Sequence, residues 1–291
     1  MRALESTSAA LGQPVSSRMI GASARPLAAI GRWRHGPAVF DIPPSNVIRL
    51  AISLVDAPNT RTRDRSMPNE KRPGASVSMF APMEGISVDV RGEADVIQLL
   101  VDQNAAQAAL DRTFVCPLVI DLYDDGIRAT IMRLFTHRAR CDPDDGLMED
   151  EDPQTLIAQI EAHANGWRRT REQPSELFRG GLAPSAFRRL DAMIENAIDE
   201  AGSPTLDDMA RSIDLSVTHF IRSFRQHTGH TPHKYVVRRR LDRAVALLRR
   251  RANRVADVSD RVGFSTPAHI VATFRAVVGV TPGALRDALD S

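Results

Sequence analysis

At 291 residues, with 43% hydrophobic and 25% charged side chains, the chain is long enough for two domains and has the make-up of an ordinary soluble protein. No run of roughly 18 apolar residues occurs, which argues against a membrane-spanning helix, and the only two cysteines, Cys116 and Cys141, form neither a C-x-x-C pair nor a metal-ligand cluster, as expected of free thiols in a reducing cytoplasm. The net charge of +2 hides an asymmetry: from Gly181 onward 17 of the 38 basic residues stand against 12 of the 36 acidic ones, leaving 21 against 24 before it.

Residues 1–36 are rich in Ala, Ser, Gly and Arg, with one acid, Glu5, and no secretory h-region; they are expected to be a disordered tail. Strand patterns follow: Val47–Val55, Ser76–Phe80, Gly85–Val90 with Ile86, Val88 and Val90 alternating against polar residues, and Asp95–Val101. Short strands between Gly/Pro turns predict a small barrel or sandwich, with Arg61–Gly74 as a solvated loop. After Gln103 the period turns helical. Pro117–Arg138 spaces Ile120, Ile127, Ile131, Leu134 and Phe135 as one helix, and Leu156, Ile157, Ile160 and Ala164 mark another. The acidic stretch from Asp142 to Asp152 separates them, and 168–185 reads as the linker to a second domain, 186–291.

That second domain contains a repeat. Leu206, Met209, Ile213 and Leu215 match Val255, Val258, Val262 and Phe264 at an offset of 49; Phe220, Phe224, Gly229 and Pro232 match Ile270, Phe274, Gly279 and Pro282 at an offset of 50. The offset changes in a turn between two short helices, where length is tolerated. Thr205, Ser216, Thr231 and Thr266 are expected N-caps, and Asp214 and Gly263 the left-handed turn residues. Ala210 and Ser259 are small where two helices must cross closely. Each unit, 205–229 and 255–279, therefore reads as a helix-turn-helix.

In the first unit Phe220 and Phe224 point inward, leaving Thr218, Ile221 and Arg222 as base-facing candidates. Arg222 is the strongest, because a guanidinium can donate two hydrogen bonds to a guanine edge; phosphate or solvent contact is the alternative. His219 is expected to be a partly buried packing residue. The second unit presents Ala268, Val271 and Ala272, which can touch thymine methyls but make no bidentate contact, so sequence preference is assigned mainly to the first unit. Ser216, Arg225, Thr266 and Arg275, with Arg238, Arg239 and Arg240 of the intervening helix, are candidates for phosphate or backbone contact.

On these residues, LDDMARSIDLSVTHFIRSFRQHTGHTP, RRRLDRA and GFSTPAHIVATFRAVVGVTPGALR, the segment Ala186–Asp290 resembles the DNA-binding domain of the AraC/XylS family of bacterial transcription regulators. The resemblance implies two helix-turn-helix units in successive major grooves of double-stranded DNA, joined by a linker helix. It places base readers at Thr218, Ile221 and Arg222, and at Pro267, Ala268, Val271 and Ala272; the aliphatic Val271 and Ala272 depart from the polar residues usual in the family. Residues 37–167 resemble the family's cupin-type sensor and dimerisation domain, through SVSMFAPMEGISVDVRGEADVIQLLV. The expected fold class is thus α+β, a small cupin-like β-barrel with helices followed by an all-α domain.

His35, His137 and His163 fall outside the expected strands, so no metal and no cofactor is expected. The expected partners are DNA, a second copy of the chain in a homodimer, a small-molecule effector and RNA polymerase, with no membrane. The alternatives are a ligand-independent dimeric regulator and, in another class, a DNA-tethered enzyme or a cysteine-based alkyl acceptor; neither a ligand cluster nor an activated cysteine motif supports the latter.

Overall fold

The structure, a computed structural model, describes residues 2–20, 27–54, 60–62, 77–80, 85–110, 119–122, 125–136, 158, 161–162, 181–250 and 252–290. Two compact units are present, Met1–Gly166 with Asp287–Ser291, and Trp167–Arg286. Cys116, Cys141, His137, His163, the acidic stretch 142–152, most of the second expected helix and most of the expected linker lie outside the described residues.

The first unit runs α1 (Arg2–Leu11), β1 (Ser16–Ile20), β2 (Ala28–His35), β3 (Ala38–Ile42), β4 (Val47–Ser53), β5 (Thr60–Thr62), β6 (Val77–Phe80), β7 (Ile86–Val90), β8 (Ala94–Asp102), α2 (Gln103–Leu110), β9 (Val119–Leu122) and α3 (Asp125–Thr136). Its strands form two antiparallel sheets, six strands in the order β1-β2-β8-β4-β6-β9 and three in the order β3-β7-β5. Among the described residues no strand pairing closes either sheet into a barrel. The helical second unit completes an α+β chain.

Three readings of the first unit need correction. The described residues 2–20 and 27–35 are not a tail: they hold α1, β1 and β2, and β2 is the neighbour of β8 along eight residue pairs. The physical reason is visible in β2. Gly31 makes room for the ring of Trp33, since a Cβ there would stand 2.8 Å from it, and the Trp33 indole nitrogen donates to the Gly12 carbonyl at 3.0 Å. The buried Arg32 donates through Nε and one terminal nitrogen to both oxygens of Asp95, at 2.8 and 2.7 Å. The second correction concerns Pro117–Arg138, where Val119–Leu122 is a strand and the helix begins at Asp125. A short β-branched run followed by polar residues has the spacing of either element until a sheet edge is there to receive it. Third, His35 closes β2, and its pKa is lowered because burial opposes its charge more than nearby Asp95 favours it.

The second unit contains α4 (Pro184–Asp199), α5 (Leu206–Ser212), α6 (Val217–Thr228), α7 (Pro232–Leu248), α8 (Val255–Arg261) and α9 (Pro267–Val278), with α10 (Pro282–Asp290) beginning within it. Its core is built on Phe187, Leu190, Ile194, Ile198, Phe220, Phe224, Tyr235 and Leu241, continuing through Leu248, Val258, Ile270, Phe274 and Val278. On α4, α6 and α9 these residues recur at steps of three or four, which gives each of those helices one buried side.

Candidate nucleic-acid interface

Each half of the interface is a pair of short helices whose ends are set by side chains. In the first pair Thr205 accepts from the Asp208 amide at 3.1 Å and donates to its carboxylate at 2.6 Å, while Ser216 accepts from the His219 amide at 3.4 Å. In the second Thr266 accepts from the His269 amide at 3.1 Å. Such caps satisfy amides that the first helical turn leaves without partners. Both trailing helices, α6 and α9, stop at a left-handed glycine, Gly229 at φ 76° and Gly279 at φ 88°.

The sharp turns between the helices match across the repeat. Asp214 has φ 57° and Gly263 has φ 75°, in the left-handed region that aspartate tolerates and glycine enters freely. Ser265 is the additional residue of the second turn. Ala210 and Ser259, the small residues at the crossings, are both buried; the Ser259 hydroxyl has no hydrogen-bond partner among the described residues. The close approach is real at Gly263, where a Cβ would lie 2.6 Å from the Ala201 carbonyl oxygen. That carbonyl belongs to a residue which itself takes φ 55°, so Ala201, rather than Gly202, makes the turn after α4.

The inward faces of the trailing helices are aromatic or aliphatic. Phe220 and Phe224 are fully buried with ring centroids 5.4 Å apart, and Phe224 meets Tyr235 of α7 edge-on at 5.3 Å. Ile270, Phe274 and Val278 do the same in the second unit. With those sides fixed inward, the opposite sides are presented to solvent. Ser216, Thr218, Arg222 and Arg225 are exposed and Ile221 is partly so; in the second unit Thr266, Pro267, Ala268, Ala272 and Arg275 are exposed and Val271 partly so. The guanidinium groups of Arg222, Arg225 and Arg275 have no hydrogen bond or ion pair among the described residues, which leaves their donors available to an external anion.

Four expected positions behave differently. Arg238 and Arg239 are buried, not directed to solvent. Arg238 bonds the His230 ring at 3.0 Å, and Arg239 bonds Glu195 of α4 through Nε and a terminal nitrogen, both at 2.7 Å. Arg240 is half-buried, donates to the Gly202 carbonyl at 2.8 Å, and has its pKa lowered by burial. These arginines secure α7 through bonds to the fold itself, although Arg240 Nε is buried without a hydrogen-bond partner. His219 is exposed, because the one-residue step from Phe220 turns it away from the core.

The sequence reading missed a helix-to-helix ladder. Tyr235 donates to Asp191 at 2.8 Å, Arg239 bonds Glu195, and Arg243 pairs with Asp199. Each pair is separated by 44 residues. The signal was present as two i, i+4 series, Asp191, Glu195, Asp199 and Tyr235, Arg239, Arg243, which can meet rung by rung only if α4 and α7 run in the same direction.

Comparison with known proteins agrees with this geometry. Residues 209–288 match a family described as a helix-turn-helix domain. Over 78 residues the chain is 36% identical to the uncharacterized HTH-type transcriptional regulator YidL of Escherichia coli K12, covering 27% of this chain and 26% of that protein. Over 84 residues it is 36% identical to the HTH-type transcriptional activator RhaS of an Escherichia coli strain, covering 29% and 30% respectively. The alignments thus span less than a third of either relative. A solved transcriptional regulator of Chromobacterium violaceum, of the AraC-type DNA-binding class, is 28% identical, covers 36% of this chain and 92% of its own, and superposes with a TM-score of 0.34.

Proposed function

We propose, from the premise that the C-terminal region is a helix-turn-helix domain of the AraC/XylS type, that the chain is a sequence-specific, double-stranded-DNA-binding transcription regulator acting in the cytoplasm as a homodimer. The observation that carries the reading is the pair of repeated helix-turn-helix units whose solvent faces bear Arg222, Arg225 and Arg275, unpartnered among the described residues. No activity as an enzyme is part of it.

In this reading α6 and α9 are the recognition helices. Thr218, Ile221 and Arg222 read base edges in the first groove, while Ala268 and Val271 touch thymine methyls or follow groove shape in the second. Ser216, Arg225, Thr266 and Arg275 hold the sugar-phosphate backbone and set the register. Arg238, Arg239 and Arg240 contribute by fixing α7 and hence the spacing of the two units. The first unit of the chain, with its two sheets, senses a small-molecule effector and dimerises, and RNA polymerase is the further partner at the promoter.

The test is genome-wide footprinting with the intact protein, followed by measured affinities for a bound site and its single-base variants. Arg222→Ala should lose about 1–3 kcal/mol of discrimination at one base pair of the site and leave the others unchanged. A uniform loss for every sequence would move Arg222 from base to phosphate.

A further inference from the structure

We propose that Arg49 is the anion-binding residue of the effector site, and that the effector is a monocarboxylate with an apolar body; the inference rests on the effector-responsive reading of the first unit. Arg49 lies in the middle of β4 and is 1% exposed. Strand register sets it opposite Leu100 of β8 and Phe80 of β6. It therefore shares a sheet face with Val47, and through the β2–β8 register with Ala29 and Trp33. Val47, Leu100, Ala29 and Trp33 cluster with Ile42, and Phe40 and Val88 of the three-stranded sheet pack against them. A guanidinium is thus held on the face where two sheets bury an apolar core.

Among the described residues no acidic side chain neutralises it. Nε and one terminal nitrogen of Arg49 are buried without a hydrogen-bond partner, and no ion pair reaches it among the described residues. Arg32, in the same six-stranded sheet, shows what those atoms are suited to. There Nε and the corresponding terminal nitrogen grip both oxygens of Asp95, the side-on fork that matches a carboxylate. On Arg49 the same edge of the guanidinium is the unpartnered one. Burial lowers its pKa as expected for an uncompensated cation.

A buried charge without a partner is strongly unfavourable, and a carboxylate delivered by a ligand would offset that cost when bound. Gln98, next along the same face and opposite the small Ala51, is also buried and forms no side-chain hydrogen bond to a described residue, so it can orient the second edge of the acid. The surrounding side chains are aliphatic and aromatic, which fits a hydrocarbon body and disfavours a sugar or a polyanion.

The experiment uses the full chain in thermal melts with octanoate and benzoate, against octanamide and benzamide. At least one acid should raise the midpoint by about 5 °C near saturation, while its amide, which has the same body without the charge, should leave it unchanged. Arg49→Met should raise the midpoint of the ligand-free protein and abolish the shift, and Arg49→Lys should keep part of it. The proposal is overturned if neither acid shifts the wild type, if acid and amide act alike, if the shift survives in Arg49→Met, or if Arg49→Met lowers the ligand-free midpoint, since Arg49 would then be structural. Operator affinity measured with and without the active acid separates the two ideas: an Arg49-dependent shift with unchanged affinity retains the site and rejects effector control.

Discussion

Asp214 and Gly263 do the same job under different constraints. Both adopt positive φ, but a Cβ at Gly263 would stand 2.6 Å from a backbone oxygen, which cannot swing aside as a side chain could. Gly263→Ala should therefore cost about 3 kcal/mol, combining left-handed strain with overpacking, whereas Asp214→Gly should change stability by less than about 1 kcal/mol. Chemical denaturation of the two variants checks the contrast, and equal effects would remove the close approach as the cause. Ser259 carries the opposite expectation. Its buried hydroxyl lacks a partner where the first unit has Ala210, so Ser259→Ala should stabilise by about 1 kcal/mol. In the first unit of the chain, Asp95 is fully buried against Arg32, with Arg34 Nε 3.7 Å away. Asp95→Ala leaves Arg32 buried without its counter-charge, and a loss of about 3–5 kcal/mol is expected in the same measurement.

At the scale of elements, much of the second unit was legible because its signals are local. A capping hydroxyl, a left-handed glycine and two phenylalanines four residues apart each specify one helix without reference to the rest of the chain. Thr205, Ser216, Thr231 and Thr266 all cap where expected. The rest depended on partners distant in sequence. β2 reads as part of a disordered tail until Asp95, 63 residues on, neutralises Arg32. Val119–Leu122 reads as the start of a helix until β6 receives it as a strand. The arginines of α7 read as candidates for phosphate or backbone contact, and only the parallel course of α4 turns Arg239 into a structural residue. The outward positions of α6 were readable because an inward Phe220 fixes what lies on the other side of the same helix. Glu195→Gln tests the ladder: it should lower the melting midpoint by weakening the hold on buried Arg239, while circular dichroism at low temperature remains that of the wild type.

For the whole molecule, the basic excess of the C-terminal half overstates the charge available to a polyanion. Arg189, Arg238, Arg239, Arg240 and Arg243 are engaged with the chain itself, through Ser212, His230, Glu195, Gly202 and Asp199 respectively. Arg222, Arg225 and Arg275, like Arg250, Arg254 and Arg261, form no side-chain hydrogen bond or ion pair among the described residues. Each neutralised phosphate contributes about 0.9 to the slope of log affinity against log salt concentration, so that slope counts the cations which reach the DNA. Arg225→Ala should reduce that slope by about one. Arg239→Met removes the same formal charge, yet the slope should stay as it is while the melting midpoint shifts, since Arg239 is 4% exposed and held by Glu195. If Arg239→Met flattened the salt dependence as much as Arg225→Ala, α7 would have to open on DNA and release its arginines to the phosphates. Equal protein stability with a changed slope would point the same way, and a changed midpoint with an unchanged slope identifies α7 as the spacer that holds two readers at a fixed interval.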